Sequence, residues 1–129
     1  MRFILDTNSC IDFARGRSAS LLRRMKERRR DGLVMSAISY AELSVGAREH
    51  SEGPDREHLE TLVRIVRVVP FDAVAARAYG RLVREHGVKR HDFDRLIAAQ
   101  ALSLDVTLVT NNERHFNGIA GLRVENWTR

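Results

Sequence analysis

The sequence predicts an α/β domain, an α/β/α sandwich with a central, mostly parallel sheet of four to five strands. Three observations predict it. Short apolar or β-branched runs alternate with helical stretches of ten or more residues, a pattern that requires right-handed crossovers and a parallel sheet covered on both faces. The length, 129 residues, suits one domain, which at this size buries roughly two-thirds of its unfolded surface. The hydrophobic fraction of 43% supplies a core, and Cys10, the single cysteine, excludes a disulfide framework or a Cys-based zinc finger in its place. One domain over residues 1–129 is expected.

The elements follow in order along the chain. Arg2 to Leu5 is a short apolar strand that ends at Asp6-Thr7-Asn8-Ser9, residues that favour turns and helix N-caps, and a helix through Cys10 to Ala14 follows. Leu21 through Arg30 makes a second helix, stopped by Asp31-Gly32 before the buried strand Leu33-Val34-Met35. Ser36 or Ser39 caps a helix that carries Tyr40-Ala41-Glu42-Leu43 to about His50, where Ser51-Glu52-Gly53-Pro54 breaks it. Pro54 suits the start of the next helix, whose Leu59, Leu62, Val63 and Val66 fall at helical spacing. A third strand, Val66-Arg67-Val68-Val69, ends at Pro70. Asp72 caps a helix to His86, which Gly87 stops, and Asp92 caps Phe93 to about Leu104. Val106 to Val109 is the fourth strand; a polar turn at Thr110-Asn111-Asn112, a helical piece to Phe116 and a last strand, Leu122-Arg123-Val124, complete the chain.

Charge narrows the partners. Lys+Arg 22 against Asp+Glu 17 leaves a formal +5, built from 20 arginines and 2 lysines. Arginine forks bind phosphate bidentately, so this excess fits a nucleic acid or an acidic protein. Its densest run, Arg23, Arg24, Lys26 and Arg28 to Arg30, reads first as a solvated helix face and second as a phosphate-facing patch. No apolar run reaches the roughly 18 residues needed to cross a bilayer, and an acid at position 6 comes too soon for a signal peptide. A cytoplasmic chain with no membrane contact is expected.

Ligands in open α/β sheets bind beyond the carboxyl ends of the strands. Asp6 follows strand one and Thr110 to Asn112 follow strand four, so both lie on that edge. Glu42 shares a helical stripe with Ile38, Ser39, Val45 and Gly46 and has no basic neighbour along it, although Leu43 and Ala47 could instead mark the buried side. Asp94 shares its stripe with Ile97, Ala98 and Ala101. Clustered acids repel one another unless a cation lies between them. Oxygen donors without cysteine favour a hard ion such as Mg²⁺ or Mn²⁺, which activates water and stabilises a phosphodiester transition state. No glycine-rich nucleotide loop and no His-Glu-x-x-His zinc helix is present. The histidines at 50, 58, 86, 91 and 115 read as surface residues, Cys10 as a small buried hydrophobe and Trp127 as packing.

Five segments carry a resemblance: Leu5-Asp6-Thr7-Asn8, Tyr40-Ala41-Glu42-Leu43, Phe93-Asp94-Arg95-Leu96-Ile97-Ala98-Ala99, Val109-Thr110-Asn111-Asn112 with Phe116, and Gly121-Leu122-Arg123-Val124-Glu125-Asn126-Trp127. In order and spacing they resemble the PIN-domain ribonucleases of the VapC toxin type over nearly the whole chain. The resemblance implies a Mg²⁺-dependent endoribonuclease toxin of a VapBC pair, cutting structured RNA, often tRNA. It implies a homodimer, silencing by a VapB antitoxin in a hetero-oligomer, and promoter DNA bound only through that antitoxin. Asp6, Glu42 and Asp94 match the acids of the family's metal pocket, Asp6 and Asp94 as direct ligands. Many PIN domains carry a fourth acid near Thr110; here Asn112 stands in that region, able to hydrogen-bond a water but bringing no charge. Asp92 is the other candidate for that role. Asp6, Glu42, Asp94 and Asn112 are therefore the expected catalytic set. The rival expectation is a nonhydrolytic nucleic-acid-binding or regulatory module whose arginines do the work.

Overall fold

The computed structural model of the protein describes residues 1–49, 54–87 and 92–129, with the side chains of 46–49 and 54–56 outside that description. Strands β1 (Phe3–Leu5), β2 (Leu33–Ser36), β3 (Arg67–Val69), β4 (Thr107–Val109) and β5 (Val124–Glu125) form one sheet in the order β3-β2-β1-β4-β5. Every pairing is parallel, and Leu5 of the central strand lies opposite Met35 on one side and Val109 on the other. Helices α1 (Thr7–Ala14) and α2 (Ala19–Arg28) connect β1 to β2, α3 (Ala37–Glu49) and α4 (Pro54–Ile65) connect β2 to β3, and α5 (Ala73–His86) and α6 (Phe93–Leu104) connect β3 to β4.

Alternation along β1 separates two cores, as the two-residue period of a strand requires. Phe3 and Leu5 pack with Cys10, Leu21, Met25 and Leu62 from α1, α2 and α4. Ile4 points the other way, onto Leu82 of α5 and Ile97, Ala98 and Ala101 of α6. Burial of each large aliphatic side chain contributes about 1.5–3 kcal/mol, so the fully covered central strand is a stable platform for whatever its carboxyl end carries.

Local chemistry places most boundaries where the sequence puts them. Ser18, Asp72 and Asp92 accept the N-cap hydrogen bonds of α2, α5 and α6, and Gly87 ends α5 at φ 58°. Between the two candidate caps of α3, Ser36 is the one whose hydroxyl accepts from Ile38 N, at 3.0 Å. Strands β1, β3, β4 and β5 each start one or two residues later than expected. Val66 N bonds to Leu62 O, which prolongs the helical turn of α4 and delays β3 to Arg67. Leu122 N bonds to Ile119 O in a turn, so β5 begins at Val124. Gly32 enters β2 at φ 91°, and a Cβ there would lie 2.8 Å from the backbone nitrogen of Met1, so glycine is required. His50, His91 and the breaker Ser51-Glu52-Gly53 lie outside the described residues.

The chain runs from β1 outward to β3, then returns to β4 on the other side of β1. The strand order therefore reverses between β1 and β4. That reversal opens a crevice beyond the carboxyl ends of these two strands, where doubly wound sheets bind ligands.

Candidate metal centre

Asp6 sits at the floor of this crevice, 2% exposed. Its backbone N–H donates to Val109 O at 3.0 Å, which ties the ends of β1 and β4 together. Its carboxylate caps α1 by accepting from Ser9 N at 2.8 Å, so Asp6 is both the expected helix cap and a buried acid. Burial pushes its carboxyl above the ordinary value; hydrogen bonds from Thr110 and Ser9 oppose the rise, and the charge of Asp94 adds to it. Thr110, fully buried, accepts Asn112 N at its hydroxyl oxygen, which leaves the hydroxyl proton to hold Asp6.

Glu42 reaches the same edge from α3. The Thr7 hydroxyl donates to its Oε1 at 3.0 Å and lies 2.9 Å from the buried Ser39 Oγ. Its carboxyl is raised by burial, held back by Thr7 and raised again by Asp94. The stripe expected for Glu42 is half right: Ser39 is fully buried and Ile38 packs on the core, but Val45 is 61% exposed and Leu43 packs into the core instead. Glu42 is thus half-buried at the rim of α3, and the Thr7 hydrogen bond holds it inward.

Asp94 comes from the first turn of α6, above the buried Ile97, Ala98 and Ala101, as its stripe predicts. Burial raises its carboxyl; His115 lowers it, Asp92 raises it and Arg95 lowers it. Its charge acts on both Asp6 and Glu42. Three carboxylates from three separate elements therefore share one field. Among the described residues, no basic group figures in the shifts of Asp6 or Glu42. Such a donor set, all oxygen and mutually repelling, fits a divalent cation.

Sequence reasoning missed His115. Read as a surface residue, it is partly so, with 42% of its side chain exposed, but Nε2 lies 3.5 Å from Asp94 Oδ2 and 3.9 Å from Asp92 Oδ2. The signal that could have found it is its place in the one-turn helix Glu113–Phe116, directly after the β4 edge. Asn112 is exposed, and its amide lies 3.2 Å from His115 Nδ1. Asp92 caps α6 through Oδ1, accepting from Asp94 N at 2.9 Å, and turns its other oxygen toward His115. Cys10 is fully buried, and burial, then the charge of Asp6, push its thiol up, so it has no nucleophilic role at neutral pH. On α2, Glu27 pairs with Arg23 at 4.0 Å, and Asp31 just beyond it pairs with Arg28 at 3.8 Å, while Lys26, Arg29 and Arg30 are exposed.

Residues 3–122 match the PIN domain family. The chain belongs to it. Within it, this PIN domain is similar to VapC ribonucleases. It is 35% identical to the tRNA(fMet)-specific endonuclease VapC of Shigella flexneri over 99% of both chains, and 28% identical to ribonuclease VapC2 of Rickettsia felis over the full length of both. The crystal structure of VapBC2 from Rickettsia felis bound to a promoter DNA fragment superposes with a TM-score of 0.86 at 28% identity, covering 98% of this chain and 99% of that one. DNA-bound VapBC from Salmonella typhimurium gives 0.84 at 28% identity, covering 98% of each. The expected PIN fold, VapC kinship and ribonuclease class are thus confirmed. No helix among the described residues is long and apolar enough to cross a membrane.

If the acids hold Mg²⁺, which only the folded chain can do because only it brings them together, the ion at 100 times its dissociation constant should stabilise the fold by about 2.7 kcal/mol. Thermal melting should show this rise in the parent and a smaller one in Asp94→Asn. Equal shifts in both proteins would remove Asp94 from the site.

Proposed function

We propose that this PIN domain is the toxin of a VapBC-type pair, a Mg²⁺-dependent endoribonuclease (Mn²⁺ being the alternative ion) that cleaves structured RNA of the tRNA class in the cytoplasm and so stops translation. The observation that carries this is the convergence of Asp6, Glu42 and Asp94 at the reversal between β1 and β4, each carboxyl raised by burial and by a neighbouring acid. Asp6 and Asp94 are the direct ligands and Glu42 completes the pocket. Asp6 and Asp94 would hold a divalent cation, which would supply an activated water and offset charge on the phosphate oxygens.

The chain's own residues do the rest. Thr110 and Ser9 fix Asp6, so its orientation costs no reorganisation during reaction. Glu42, anchored by Thr7, takes up the proton of the attacking water; a raised carboxyl pKa brings it nearer the working pH of a general base. The bond from phosphorus to the 3′ oxygen breaks and that oxygen takes a proton from solvent, leaving a 5′-phosphate and a 3′-hydroxyl. Exposed arginines attract the polyanion, an attraction that weakens with salt. The VapBC complexes that resemble this chain support a VapB-type antitoxin as partner, and the resemblance implies that promoter DNA is reached only through it. A homodimer is the expected toxin unit.

The test is digestion of total small RNA by the purified chain free of antitoxin, with Mg²⁺ or with EDTA, followed by mapping of product ends. Discrete cuts that need metal and carry 5′-phosphates are expected. Cyclic 2′,3′-phosphate ends would contradict attack by water. RNA binding without cuts, in folded protein, would favour the nonhydrolytic regulatory module.

A further inference from the structure

The oxygen-only pocket expected from the sequence has an imidazole at its edge. One ligand atom from each of Asp92, Asp94 and His115 lies within 4.8 Å of the others. Asp92 joins without surrendering its cap, because Oδ1 holds Asp94 N while Oδ2 faces His115. On the far edge of the ring, Nδ1 lies 3.2 Å from Asn112 Nδ2, and Asn112 is itself anchored by its N–H to Thr110 Oγ1. The ring is therefore held from both edges, as metal-ligating histidines are, with one nitrogen toward the acids and the other on a polar partner. Rotating the Asn112 amide by half a turn lets its carbonyl accept Nδ1–H, which leaves the Nε2 lone pair facing Asp94.

We infer that His115 is a nitrogen ligand to the cation held by Asp94, that Asn112 positions it, and that the site consequently prefers manganese-class transition ions to magnesium. This rests on the metal-dependent reading of the acids above. Mg²⁺ demands oxygen donors and gives up its waters reluctantly, so an imidazole adds little to its binding. First-row transition ions gain from imidazole, in an order that rises from Mn²⁺ through Fe²⁺ to Co²⁺. His115 thus supplies a discrimination that Asp6, Glu42 and Asp94 alone do not. Asn112, with no charge to offer a second cation, acts here through the ring.

The experiment is an electron paramagnetic resonance titration of the full chain with Mn²⁺, competed by Mg²⁺, with pulsed detection of ¹⁴N coupling. The parent should show directly coordinated nitrogen, a readout that needs no variant. In His115→Leu, with its fold checked by circular dichroism, that coupling should vanish and Mn²⁺ affinity fall about tenfold or more while Mg²⁺ affinity stays within about twofold. Asn112→Leu should keep the coupling and lose part of the Mn²⁺ affinity. Absence of ¹⁴N coupling in the Mn²⁺-loaded parent overturns the inference, as does a parallel change in both affinities. A parallel rise would mark His115 as a counter-charge to Asp92 and Asp94. If Asp94→Asn loses both ions and His115→Leu changes neither, only the role of His115 fails. If the parent binds neither ion, the metal-dependent reading fails with it.

Discussion

Asp6→Asn should reduce RNA cleavage at least about 100-fold, the upper end of what loss of a group outside the ligand shell costs, and should at the same time raise the melting temperature of the metal-free chain at neutral pH. The two effects have one cause. Asparagine keeps the cap on Ser9 N, since it is as good an N-cap as aspartate, and its side-chain oxygen can still accept from Thr110. It removes only the charge. Because the folded-state pKa of Asp6 is raised, its contribution to stability is fully present below the ordinary carboxylate value of 3.8 and is lost as pH rises through the folded value. As pH rises through the folded value, the 98%-covered carboxylate ionises and works against the fold. The gain in melting temperature should shrink as pH falls toward the ordinary value. RNA binding should persist or tighten, because one negative charge facing phosphate is gone. A variant that melts with the parent and still cuts would place the ligand elsewhere.

What the sequence revealed of this site follows from how local each cause is. Asp6, Asp72 and Asp92 announce themselves because a cap acts within three residues, and β1 and β4 because their apolar runs end in turn residues. Asp94 was legible through the buried positions three, four and seven residues on. Glu42 was legible as an acid but not in its setting: the side chain that directs it, Thr7, is 35 residues away on another helix. His115 was hidden for the same reason, since its partners Asp92 and Asp94 reach it only once α6 lies beside the turn after β4.

Stability and site share more than Asp6. Leu5 and Val109 are the last residues of the two strands whose ends form the crevice, and both belong to the core that holds Trp127. Any loosening of that core therefore reaches Asp6 and Thr110 through one peptide bond each.

Trp127→Ala should destabilise the fold by about 3–5 kcal/mol, against a total of about 5–15 kcal/mol for a domain of this class. The indole is 1% exposed and meets Phe3 edge to face, with ring centroids 4.9 Å apart and planes inclined at 62°. Its Nε1–H donates to Glu125 Oε1 at 3.1 Å. Glu125 belongs to β5, a two-residue edge strand with little pairing of its own, so Trp127 fastens the C-terminal segment both to the central strand and to the sheet edge. Alanine leaves a large cavity beside β1 and an unpaired carboxylate. Trp127→Phe keeps most of the ring contact and loses the hydrogen bond, so its cost should fall well below that of alanine. Urea denaturation separates this from a base-stacking role, which would weaken RNA binding while leaving the unfolding midpoint in place. Because Phe3 lies two residues before Leu5 on the same face of β1, the Ala variant should also lose cleavage earlier on heating than it loses helical signal. Asp6 and Thr110 follow the ends of β1 and β4, and Leu5 and Val109, which precede them, share one core with Trp127.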